Sequence, residues 1–390
     1  MAVRVPFSAL ARQAMDASGN GLGMALAAEE PWEAGDFVLA RLEDEAGTAG
    51  WGEVFMWLPE TGVSPTEVIS AIVGSLGRYV VGACPADLRA IGARMERNVT
   101  RNEVAKGLLD LACHDLAARQ VGRPVHDLIG GRGAETIGLC GLVPLGSVDD
   151  TVALCAGYVG AGYRTLRLKL GTGVEADREV IAAVRAAVGD GVRLRVDYNQ
   201  AYSVPQAVRA LRSLEAYGID AAEQPLAVAD VIGMVELSRR TTIPVFLHEG
   251  AFTTRDLVTL IEMGGCGVVG VNAERPGGLT AALDVIDYAA LRGLGTIIHN
   301  QPLGVGTAVL AHLAAARFDR LGHDVELAGD VMFDESLVVA PPTRIRGELV
   351  VPTGPGWGVE VDRDALDRYT TATASITVDD VRASTEVPAG

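Results

Sequence analysis

Apolar positions change their period along the chain. Near the amino terminus the period is two. Phe37-Val-Leu-Ala-Arg-Leu42 leads through a turn with Gly47 and Gly50 into Trp51-Gly-Glu-Val-Phe55, which predicts a pair of strands. From Pro65 to Gln120 the period is helical, and Ala105–Ala118 predicts the clearest amphipathic helix. Arg123-Pro124 and Leu128-Ile-Gly-Gly131 break that pattern and put a domain boundary between Gly130 and Thr136. Beyond it, short β-branched runs recur at 136–143, 165–170, 192–196, 218–222, 243–247, 268–271 and 296–298. Stretches of helical period follow them, such as 204–217 and 254–263. Strands alternating with helices predict a parallel sheet, and about eight such units in roughly 200 residues predict a closed barrel. After Pro341 the chain turns to Gly- and Pro-rich strand material, then a short helical piece at 364–369.

Length and charge narrow the picture. The chain has 390 residues, too many for a single small core, so two domains are expected. Its 49% apolar and 21% charged residues are a globular composition. With 33 basic against 50 acidic residues the net charge is −17, which argues against a nucleic-acid partner or an anionic membrane surface. No GxGxxG or P-loop run accompanies the strands, so nucleotide binding has no support. The most apolar window, 296–316, is interrupted by His299, Asn300, Gln301 and His312 and makes a poor membrane span. No leader-like segment opens the sequence. The five cysteines are scattered without a CxxC pair, so the expected location is the reducing cytoplasm. Only two of the basic residues are lysine, Lys106 and Lys169. Arginine keeps its proton at neutral pH, whereas lysine can act as a base, so each lysine asks for a reason.

Polar residues fall in register with the predicted strands. Lys169, Asp197, Glu223, Glu249, Asn272, His299 and Glu326 each stand at or just past a strand's carboxyl end, 23 to 28 residues apart. In a parallel barrel such positions converge on one mouth. A single polar residue there is ordinary loop punctuation; seven in register point to a site. Asp197, Glu223 and Glu249 come from consecutive strands with no cysteine nearby. An all-oxygen set of this kind suits a hard divalent cation, expected to be Mg²⁺. Lys169, on the strand before them, would point into the same cavity as a general base. A metal opposite a lysine is what removal of a weakly acidic proton beside a carboxylate requires, with the cation neutralising the enediolate. His299, across the barrel, would serve as general acid or second base.

These residues resemble the enolase superfamily, in its mandelate racemase and muconate lactonizing enzyme branch. The resemblance runs through Gly50-Trp-Gly-Glu53, Ala105-Lys106, Asp110, Asp115-Leu116 and Leu128-Ile-Gly-Gly131. It continues in Arg167-Leu-Lys169, Asp197-Tyr-Asn199-Gln200, Glu223-Gln-Pro225, Gly277-Gly-Leu-Thr280 and Gly354-Pro-Gly-Trp-Gly-Val-Glu-Val-Asp362. It implies an α/β fold: a (β/α)7β modified TIM barrel at 133–340 under an α+β capping domain. That cap would be built from residues 1–132 and completed by 341–390. It also implies Mg²⁺, proton abstraction α to a carboxylate and, as for many such barrels, a homo-oligomer. Lys106 falls where the family tends to carry a structural lysine.

The sequence departs from that pattern at three places. Arg167 stands where the first lysine of a K-x-K motif is usual, and still supplies its charge. The third metal position reads His248-Glu249, with Glu249 taken as ligand and His248 left open. Asn272 stands where the lactonizing branch has a second lysine and the racemase branch an aspartate, and asparagine cannot transfer a proton. The run His299-Asn-Gln-Pro-Leu-Gly resembles sugar-acid dehydratases and mandelate racemase, in which an aspartate backs the histidine. Asn272 could orient His299 but would not raise its basicity.

The expectation is therefore β-elimination of water from a small carboxylic acid, with Lys169 as base and His299 as acid. A racemase or epimerase, or a muconate-type cycloisomerase, stands behind it. A non-catalytic carboxylate-binding relative is the alternative of another class. Arg167, Asn199, Asn272 and Glu326 are expected to support the site or bind substrate. The Gly-rich stretch Asp16–Met24 is expected to cover the mouth and to favour a compact substrate.

Overall fold

The computed structural model describes residues 1–12 and 33–385. The stretch Asp16–Met24 lies outside the described residues. Strands β1 (Ala2–Pro6), β2 (Ala34–Glu43) and β3 (Ala49–Met56) form an antiparallel sheet with β15 (Thr370–Ala372), in the order β15-β1-β2-β3. The β2–β3 turn is closed by the Asp44 carboxylate, which accepts the N–H groups of Ala46 and Thr48. The helical region resolves into helices that include Pro65–Ala71, Leu88–Asn98 and Glu103–Gln120. The first opens with a Ser64/Glu67 capping box.

Helix Glu103–Gln120 differs from the expectation. Instead of one apolar face it is buried almost all round, from Val104 to Ala118 with only Asp110 partly open. It is clamped between two backbones. Gly50 and Gly52 bring β3 onto it, and a Cβ on either would stand within 2.6 Å of helix backbone. Gly107 meets the Gly277-Gly278 turn on the other side. Its polar residues therefore all find partners. Lys106 pairs with Glu96 (2.6 Å) and His114 meets Thr280 (3.1 Å). Asp115 accepts the N–H groups of Trp51 and Trp357 (both 2.8 Å) and the Arg119 guanidinium.

Eight parallel strands follow: β5 (Cys140–Val143), β6 (Thr165–Lys169), β7 (Arg193–Asp197), β8 (Ile219–Glu223), β9 (Val245–Leu247), β10 (Val268–Val271), β11 (Gly295–Asn300) and β12 (Glu326–Leu327). A helix joins each to the next, and β12 returns beside β5 through Cys140 N–H to the Val325 carbonyl (2.8 Å). This is a closed (β/α)7β barrel. The predicted run 136–143 splits at Leu139. β4 (Thr136–Gly138) pairs with β14 (Glu348–Val350), which also pairs with β13 (Arg344–Ile345), and only β5 enters the barrel. The strands are short and buried on both faces, which is why they read as continuous apolar runs.

The antiparallel sheet is fastened over the barrel's carboxyl end. Phe7, Phe37 and Phe55 pack around Phe333, which follows β12, at centroid distances of 5.0 to 6.0 Å. Two buried carboxylates complete the joint. Glu53 on β3 accepts the N–H groups of Leu303 (2.6 Å) and Val305 (3.1 Å). Glu274, just past β10, accepts Phe55 N–H (2.6 Å) and the Asn300 amide.

Candidate active site

Strand register assembles the site. Lys169 pairs laterally with Asp197, Asp197 with Glu223, and His299 with Glu326, so these side chains leave neighbouring strand ends together. Alternation along β6 turns Arg167 and Lys169 into the barrel and Leu166 and Leu168 toward the helices. Lys169 Nζ donates to Asp197 Oδ2 and to Asn199 Oδ1, both at 2.5 Å. Asn199 takes a positive φ of 40°, which asparagine tolerates better than most residues, and its N–H donates to Asp197 Oδ1 (2.9 Å). Arg167 is shared by three acids. Its Nη1 donates to Asp197 (2.9 Å) and Glu223 (2.7 Å), and its Nε lies 2.8 Å from Glu326.

His248 sits between the other two carboxylates. Its Nδ1 is 2.9 Å from Glu249 Oε2 and 3.3 Å from Glu223 Oε1, so that nitrogen carries the hydrogen. Burial, reinforced by the charge of Arg275, pushes the ring well below its ordinary pKa and keeps it neutral. Gln200 donates to the other oxygen of Glu249 (3.1 Å). His299 stands edge-on to His248 with ring centroids 4.2 Å apart. Its Nε2 lies 3.1 Å from Glu326 Oε1, while its Nδ1 is buried without a partner.

The structure brings Lys169, Arg167, Asn199, Glu223, His248 and His299 onto one small cavity of about 50 Å³. Phe55, Trp57, Leu142 and Met332 form its apolar wall, and Glu60 also lines it. Asn272 is buried beside the cavity but is not among its lining residues. Its amide donates to Glu60 (3.2 Å) and its oxygen accepts Arg275 N–H (2.7 Å). Glu60 and Arg275 are the residues that sequence reasoning missed. Arg275 had a signal, since Glu274-Arg275 puts two charges into an otherwise apolar strand-to-turn segment. Glu60, a lone acid in the short helix Leu58–Thr61, had none.

Does this set fit a divalent cation? Asp197, Glu223, Glu249, Glu326 and Glu60 face Arg167, Lys169 and Arg275, which leaves two negative charges without a cation. The energetics locate that surplus. Burial would raise Asp197, but Lys169 and Arg167 outweigh it and hold the carboxyl below its usual range. Burial is likewise overcome at Glu326, by Arg167 and His299. At Glu223 and Glu249 burial wins, and both are pushed up to about 7. Glu223 Oε2 is buried with no partner at all. A dication would supply both missing charges and the missing partner, so the residues fit one. Of the three expected carboxylates, Glu223 also belongs to a tight group with two histidines. Among the described residues, the group whose ligating atoms lie within 4.8 Å of one another is Glu223, His248 and His299. Asp197 has both oxygens engaged by Lys169, Arg167 and the Asn199 N–H.

Comparison with known proteins agrees with the fold. Residues 24–130 match the mandelate racemase / muconate lactonizing enzyme N-terminal domain, and residues 150–365 match the enolase C-terminal domain-like family. The chain belongs to the mandelate racemase/muconate lactonizing enzyme branch of the enolase superfamily and is an enzyme of that class. It is 26% identical to N-succinyl-L-Arg/Lys racemase of Bacillus cereus, over 85% of this chain and 90% of the relative. It is 30% identical to o-succinylbenzoate synthase of Geobacillus kaustophilus, over 86% and 88%. Among solved structures it resembles the dipeptide epimerase of Enterococcus faecalis, complexed with Mg and the dipeptide L-Leu-L-Tyr. That match has a TM-score of 0.82 and 24% identity, covering 92% of this chain and 98% of the other. Among the described residues no helix is long and apolar enough to cross a membrane.

Proposed function

We propose that this enzyme moves a proton off and onto the carbon next to a carboxylate, racemising or epimerising a small carboxylic acid. Lys169 would work on one face of that carbon and His299 on the other. The observation that carries the reading is that both line one cavity, from the second and seventh barrel strands, and that His299 has a carboxylate partner in Glu326 at 3.1 Å. The sequence favoured elimination of water because Asn272 cannot make His299 a stronger base. Glu326 supplies that help from the eighth strand, so the objection to a two-base reaction falls away. Relatives that carry out racemisation and epimerisation support the same reading.

The chain's own residues divide the work. With Nε2 beside Glu326 (3.1 Å) and the Gln301 amide (3.2 Å), His299 offers Nδ1, the nitrogen without a partner, as the atom that takes the proton. The carbon–hydrogen electron pair passes into the carboxylate and leaves an enediolate. Lys169, donating to Asp197 and Asn199, holds a proton ready for return on the opposite face. Arg167 adds a fixed positive charge at the same wall. A Mg²⁺ ion held by Glu223 and Glu249 with Asp197 would neutralise the charge that develops on the substrate carboxylate.

The test is α-proton exchange in D₂O with Mg²⁺, followed by NMR over a panel of α-hydroxy, acylamino and sugar acids. Lys169→Ala and His299→Asn should each slow interconversion of enantiomers by about 10²–10⁴-fold. Each variant should still exchange one enantiomer, because one face keeps its proton carrier. Elimination of water is the second reading, favoured by Asn272, which cannot transfer a proton. It would be supported instead if water is lost and His299→Asn stops product formation while leaving exchange intact. Exchange of both enantiomers in Lys169→Ala at the wild-type rate would overturn both.

A further inference from the structure

The sixth-strand position that lost its proton carrier has acquired a different contact. Asn272 follows β10, and Lys169 ends β6, so the two lie on opposite sides of the eight-strand barrel. Across from Lys169 the cavity therefore meets no sixth-strand base. It meets Glu60, which reaches down from the capping sheet's side. The Glu60 side chain is only 7% exposed, and its Oε1 is taken twice, by Arg275 Nη2 (2.7 Å) and by the Asn272 amide (3.2 Å). Arg275 is pinned in turn by the His248 carbonyl (2.5 Å). No described residue hydrogen-bonds to the other oxygen, Oε2, although the side chain lines the cavity.

The geometry points to Glu60 as the residue that selects the substrate, with Oε2 accepting a hydrogen bond from a neutral donor on it. The inference rests on the proton-transfer reading above for the position of the reacting carbon. A carboxylate accepts and never donates, so this wall asks for an N–H or O–H. Arg275 already balances its charge, so the donor need not be cationic. The apolar wall of Phe55, Trp57, Leu142 and Met332 takes the uncharged remainder. A site built to accept such a bond penalises an analogue that lacks the donor, because an oxygen cut off from water by the bound acid is left unpaired.

Matched acids test this. N-Acetyl-leucine is compared with N-acetyl-N-methyl-leucine, and 2-hydroxy-4-methylpentanoate with its O-methyl ether, for α-exchange in D₂O and for binding by calorimetry with Mg²⁺ present. The wild-type enzyme should favour one donor-bearing acid over its methylated twin by at least about tenfold, and which pair responds tells amide from hydroxyl. Glu60→Met should bring that preference to within about threefold, mainly through KM. Glu60→Gln, whose amide oxygen still accepts, should recover much of it. Equal handling of both twins by the wild type, or equal losses on both in Glu60→Met, would overturn the assignment and leave Glu60 a fastening between cap and barrel. Binding is read without turnover, so a chain that binds selectively but exchanges no proton would count against the two-base reading alone.

Discussion

Glu53 and Glu274 take no part in the chemistry, yet burial pushes both up to about 7, as it does the site acids Glu223 and Glu249. For Glu274 the folded value lies above the ordinary 4.5, so between these pH values the folded state binds more protons than the unfolded one. Its contribution to stability is therefore complete below about pH 4.5 and is lost as pH rises through about 7. Glu274→Gln cannot ionise. The melting temperature of this variant, measured relative to wild type, should improve from pH 5 to pH 8; a difference that stays constant would show that Glu274 does not titrate there. At this scale the sequence was legible where a residue's type and strand position coincide, as for Lys169, Asp197, Glu223 and His299. It was silent on Glu60, because nothing in one acid on a short helix tells which cavity it will enter.

Elements meet here through glycine. A Cβ on Gly107 would stand 2.7 Å from Gly278 N and 3.0 Å from the Gly277 carbonyl carbon, both backbone atoms that cannot swing away. Gly107→Ala should cost about 1–3 kcal/mol by urea denaturation, from the forced separation of cap helix and barrel turn. Gly92 lies in helix Leu88–Asn98, where an added Cβ would meet nothing within 4 Å. Gly92→Ala should instead stabilise by about 0.5–1 kcal/mol, so the pair separates close approach from helix propensity. Periodicity found most strands and helices. It misjudged helix Glu103–Gln120 as amphipathic and read 136–143 as a single strand. Both errors share a cause: which neighbours cover a segment is decided by packing at long sequence separation, not by local pattern.

For the molecule as a whole, the two unbalanced negative charges at the barrel mouth make cation binding a stability term. Added Mg²⁺ should raise the melting temperature progressively with its concentration, EDTA should reverse the rise, and Glu223→Gln should shrink it. A Tm indifferent to Mg²⁺ and EDTA would count against a cation at this site. By itself the sequence determined the parallel barrel, the polar positions at its strand ends and Lys169 and His299, which line one cavity. It could do so because strand period, repeat length and residue chemistry are all local and recur in register. Only the tertiary structure decided that Glu326 backs His299, that Arg167 is shared by three acids, that His248 bridges Glu223 and Glu249, and that Asn272 serves Glu60. Those contacts join segments up to 212 residues apart, and only barrel closure and the seating of the cap bring such segments within hydrogen-bond reach.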